Sequence, residues 1–76
     1  MNYREDQYNM LAEEASDRTG KGESYESTLG WLNGEVNSIT RTCISKQSYT
    51  APDKEEWKAR LEGAEEARDD FAAGAL

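Results

Sequence analysis

The sequence predicts an all-α fold, a small three-helix bundle, on three observations. Apolar residues recur at spacings of 4, 3, 4, 3 and 4 from Tyr25 to Cys43, which is a helical seam. Two breaks, Thr19-Gly20-Lys21-Gly22 and the stretch from Ser48 to Asp53, leave three segments of helical length. A start signal opens each segment. The expected helices span about 3–18, 24–45 and 52–73 of a single small domain, 1–76, packed as an antiparallel bundle.

The first helix starts from Asn2, with Glu5 three residues later as a capping-box partner. Tyr8, Leu11, Ala12 and Ala15 share one face, and Gly20 and Gly22 supply the positive-φ turn that ends the helix. Tyr3 and Met10, seven apart, lie away from that stripe and are candidate partner or dimer contacts.

The second helix opens at the N-cap Ser24, with Glu26 in its first turn. Its seam is Tyr25, Leu29, Leu32, Val36, Ile39 and Cys43. Asn33-Gly34 between apolar residues is also a hairpin signal, so helix-β-hairpin-helix is the alternative fold. A hairpin there would align only Leu29, Trp31 and Val36 on one face and send Leu32 and Ile39 to the other. Six consecutive helical matches outweigh three. The helix has a cost, since Gly30 and Gly34 each weaken it by about 1 kcal/mol relative to Ala, and a kink or fraying is expected near Gly34. Their GxxxG spacing is a weak signal for close helix approach in a water-soluble chain. Trp31 leaves the seam, either to widen the buried face or to anchor a partner.

The third helix follows a loop, Ser48 to Asp53, in which Thr50 can cap and Pro52 fits the first turn. Trp57, Leu61, Ala64 and Phe71 form its buried stripe, with Ala67 and Ala72 beside it. Arg68 interrupts the stripe, its aliphatic stem covering apolar surface. The helix should stop near Gly74.

Composition limits the function. Leu, Ile, Val and Phe number nine of 76 residues, so the core is thin, and self-association or a partner is a plausible means of completing it. The net charge of −7 opposes direct binding to nucleic acid or anionic membranes and favours a basic protein partner. One cysteine and no histidine exclude an internal disulfide and the usual zinc sites, and Cys43 reads as a small buried hydrophobe. No leader or membrane span is visible, which makes the cytoplasm the default location. Gly20-Lys21-Gly22 lacks phosphate-loop order, and neighbouring acids such as Glu13-Glu14 or Asp69-Asp70 point to different helix faces and make no acid/base pair, so neither an enzyme nor a cofactor is expected.

The charge is uneven. Residues 51–76 carry four bases and eight acids, a net of −4, against −2 for residues 1–22 and −1 for 23–50. Glu55, Glu62, Glu66 and Asp69 recur at offsets of 7, 4 and 3, flanked by Glu65 and Asp70. That ridge extends about 21 Å at 1.5 Å per residue, and it approximates the repeating negative charge of a nucleic-acid backbone. Against this stands an ordinary solvated helix face, softened by Lys54, Lys58 and Arg68. In composition alone the chain resembles the small acidic inhibitors that bacteriophages and other mobile elements encode, a resemblance that transfers no residue roles. The expected function is a non-enzymatic, protein-binding inhibitor or regulator whose acidic helix meets a basic, nucleic-acid-binding surface. The alternatives are a structural or adaptor module acting through the second seam or the Tyr3/Met10/Trp31 surface, a homodimer, and an antitoxin-like partner of a basic protein.

Overall fold

A computed structural model describes residues 2–45 and 51–76. It contains three helices and, among the described residues, no strand: α1 (Tyr3–Gly20), α2 (Tyr25–Ser45) and α3 (Ala51–Ala72). The hairpin alternative is overturned. Residues 30–36 lie inside continuous α2, because Leu32 and Val36 are both core residues there and a hairpin would send Leu32 to the other face.

Local chemistry sets the ends. The Glu5 amide donates to Asn2 Oδ1 at 3.0 Å, while Asn2 Nδ2 donates to Glu5 Oε2 at 3.1 Å. The reciprocal half of the capping box thus runs side chain to side chain. At the other end of α1, Gly22 adopts φ +96° and the Glu23 amide reaches back to the Arg18 carbonyl at 2.9 Å. The same closure ends α3, with Gly74 at φ +77° and the Ala75 amide on the Asp70 carbonyl at 2.8 Å. Ser24 Oγ accepts from the Ser27 amide at 3.1 Å and caps α2. The expected Thr50 cap lies outside the described residues.

Leu11, Ala15, Leu32, Val36, Ile39, Ala64, Ala67 and Phe71 form the core, with Tyr8, Leu29, Trp31, Cys43, Trp57 and Leu61 packed around it. Tyr25, the first seam residue, is 45 % exposed yet stacks on Phe71 with centroids 5.2 Å apart, and its hydroxyl donates to the Ala72 carbonyl at 3.2 Å. Ala72 itself is exposed, not beside the buried stripe as its spacing suggested, because α3 ends at that residue. Two polar residues are buried instead. Thr28 Oγ1 donates to Glu23 at 2.9 Å, and Gln7 Oε1 accepts from Arg60 at 3.4 Å. Cys43 is half-buried, its thiol donating to the Trp57 carbonyl at 3.4 Å.

The helices run up, down, up. Tyr3 lies level with Arg60 and Tyr8 with Asp70, so α1 and α3 are parallel. Cys43 meets Trp57 and Tyr25 meets Phe71, so α2 is antiparallel to α3. α1 closely approaches α3 at Gly63, which is buried: a Cβ there would clash with the Arg4 carbonyl. Gly30 and Gly34 face open space, so their GxxxG spacing creates no close approach. Both α1 and α2 pack mainly on α3, and they meet each other least.

Candidate functional site

The close α1–α3 seam gathers most of the acidic ridge onto one face. Glu62, Glu65, Glu66 and Asp69 of α3 surround Arg4 of α1, and the adjoining concavity adds Glu5 and Asp70, with Asn2 and Tyr8 on its wall. Six carboxylates and Arg4 therefore line these two adjoining concavities, and Glu66 is the one that pairs with Arg4. Arg4 donates from Nε to Glu66 Oε2 at 2.9 Å and holds the same oxygen from Nη2 at 2.8 Å. Both partners are about half exposed, so the pair adds little stability, but it crosses 62 positions of sequence and orients Glu66.

Asp70 is also committed to the fold. It accepts the Tyr8 hydroxyl at 2.6 Å. That hydrogen bond is the main reason the Tyr8 pKa is raised; burial and the negative charges of Asp70 and Glu66 push it in the same direction. Asp69 is held by Arg68, its chain neighbour, at 3.1 Å. Glu55, Glu62 and Glu65 make no ion pair among the described residues, and Glu55 stands apart from the concave face.

The placement of these acids works against helix stability. The C-terminal end of a helix carries partial negative charge, which disfavours carboxylates there and favours bases. The last turn of α3 nevertheless holds Asp69 and Asp70 and no basic residue.

The Tyr3/Met10/Trp31 surface divides. Tyr3 joins a cluster in which the Arg60 guanidinium lies 5.0 Å from its ring and 5.4 Å from that of Trp57. Met10 stays 54 % exposed and lines an α1–α2 groove with Trp31. Arg18 covers a face of the Trp31 ring, its guanidinium carbon 4.3 Å from the ring centroid. Arg18 Nη1 donates to Glu23 at 3.1 Å. Its Nε is shielded from solvent, and Glu14 at 3.4 Å supplies opposite charge to it without an aligned hydrogen bond.

Arg4, Tyr8, Glu5 and Arg18 were not among the candidate partner residues of the sequence. Arg4–Glu66 and Tyr8–Asp70 leave no local trace in it. Arg18 had one readable signal, its i, i+4 relation to Glu14.

No grouping of acidic or cysteine side chains suited to a metal ion occurs among the described residues, and none of the helices is long and apolar enough to cross a membrane. Fold and surface thus define an acidic three-helix bundle in which six of the sixteen acidic residues line one helix–helix face. No family model matches the chain, and neither a curated protein nor a solved structure matches it.

Proposed function

We propose that this chain is a non-enzymatic inhibitor or regulator that presents its α1–α3 acidic face to a basic, nucleic-acid-binding surface of a protein partner. The reading rests on six carboxylates that line the two adjoining α1–α3 concavities with Arg4, two of them in a last helical turn where the dipole disfavours them. Asp70 is tied to Tyr8 and Asp69 to Arg68, whereas Glu62 and Glu65 make no ion pair among the described residues and are open to a partner's bases. The partner's lysines and arginines would meet carboxylates spaced along a rigid helix, in place of phosphates along a strand. Glu66 and Asp70 are anchored by α1, so part of this charge is pre-oriented and loses little entropy on binding.

The test is reversal of Glu62, Glu65 and Asp69 to Lys, which spares the Arg4–Glu66 and Tyr8–Asp70 contacts. Wild-type protein should compete with duplex DNA or RNA for a basic nucleic-acid-binding protein of its own host, and the competition should weaken steeply with salt. The triple variant should keep its helicity and lose the competition. Retained competition in that variant would remove the acidic face from the account.

A further inference from the structure

We infer that the groove between α1 and α2 is a second docking site, which takes a basic amphipathic segment of a partner protein. It goes beyond the acidic-face reading and does not depend on it.

The groove has a volume of about 390 Å³ and is lined by Met10, Leu11, Glu13, Glu14, Asp17, Trp31 and Glu35. Met10, Leu11 and Trp31 are its apolar part, and carboxylates come from both walls. On α1, residues 10, 13, 14 and 17 point about half a turn away from residues 4, 5 and 8 of the acidic face, at 100° per residue. The two surfaces are therefore distinct.

Met10 is the most exposed of these apolar side chains. A flexible thioether beside a half-buried indole is a combination that adapts to an incoming apolar side chain. Arg18 already covers the indole and holds Glu14, so the ring and that carboxylate are fixed before any partner arrives. Glu13, Asp17 and Glu35 have no basic partner among the described residues. Asp17 lies in the last turn of α1, again where the dipole opposes it.

The occupant follows from these charges. An apolar strip flanked by unpaired carboxylates matches an apolar anchor flanked by Lys or Arg. Met10 to Asp17 spans about 10 Å, so roughly two turns of a helix cover the wall. A second copy of this chain is a poor match, because each copy carries −7 and would bring more acid to the groove.

The probe is a labelled Lys/Leu amphipathic peptide of about four helical turns, with a Lys/Ser peptide of equal charge as control. Both are titrated into the full-length, isotope-labelled chain at physiological ionic strength. The Lys/Leu peptide should shift the Trp31 indole N–H and the Met10 methyl, and bind about ten-fold or more tighter than the Lys/Ser peptide. Met10→Gln should weaken it about ten-fold, as should the combination Glu13→Gln, Asp17→Asn and Glu35→Gln. Both variants change exposed or rim positions, and circular dichroism should show unchanged helicity. Glu62→Gln with Glu65→Gln should leave affinity for this peptide unchanged while weakening the nucleic-acid competition, so the two surfaces can fail separately. The proposal is overturned by shifts confined to the Glu62–Asp69 face, by equal binding of the Lys/Ser peptide, or by no binding. A dimer in sedimentation that buries Met10 and Trp31 would overturn it too.

Discussion

α1 makes two helix contacts of opposite character. Against α3 it closes to backbone contact at Gly63, with Arg4–Glu66 and Tyr8–Asp70 across the seam and Ala64 and Ala67 fully buried in the adjoining core. Against α2 it stays apart, leaving a groove with Met10 exposed and carboxylates on both walls. The difference is one of side-chain size. Small residues on α3 let backbones approach, whereas Met10 on α1 faces Trp31 and Glu35 on α2. A chain with few large aliphatics has used small residues to make one tight seam and left the other contact open.

The most severe way to break this contrast is Gly63→Ala. The new methyl meets backbone, which cannot rotate away, so α1 must be displaced at a cost of about 3 kcal/mol. In a domain of this size that is most of the stability, and urea unfolding followed by circular dichroism should show a large drop in midpoint. An unchanged midpoint would mean that α1 does not approach α3 this closely.

Arg18→Met probes the open side. It uncovers Trp31 and removes the counter-charge of Glu14 and Glu23, which should cost about 1–2 kcal/mol. Thermal melts should record that loss, and Trp fluorescence should report the altered indole environment.

Gly30→Ala with Gly34→Ala should change stability in the other direction. Both positions are helical and open to solvent, so each substitution should add about 0.5–1 kcal/mol. The double variant melting lower than wild type would show that α2 needs those glycines for a contact. Opposite signs at Gly63 and at this pair would confirm which glycine sets helix approach.

The smallest effect is expected at Tyr8→Phe, about 1 kcal/mol for the lost hydrogen bond to Asp70. Its pH signature is more specific. The folded-state pKa of Tyr8 is raised above its ordinary value of 10.0, so the folded protein holds the phenolic proton more tightly than the unfolded chain. Stability from this group is complete below about pH 10 and falls as pH rises through the raised value. Denaturation midpoints measured into the alkaline range should show that fall in wild type and a shallower one in Tyr8→Phe.

Much of the fold was readable because it is local. The capping pair Asn2/Glu5, the glycine stops at Gly22 and Gly74, and the Leu32–Val36–Ile39 seam depend on residues within a few positions of each other, where propensity and periodicity act. Asn33-Gly34 misleads only in isolation, since a turn there would have sacrificed the seam on both sides. The candidate site was less legible. The sequence located the acids of α3, but it did not show that Arg4 would pair with Glu66 among them, or that Asp70 would be tied to Tyr8.

By itself, then, the sequence determined three helices, their approximate ends, the excess of acid on α3 and the thinness of the core. The tertiary structure decided which glycine lets two backbones meet, which carboxylates are anchored, and that Met10 and Trp31 share a groove while Tyr3 goes elsewhere. The physical reason is distance along the chain. Caps and seams are short-range, whereas Arg4–Glu66 and Gly63 against Arg4 join positions about 60 residues apart, and their register depends on the packing of all three helices together.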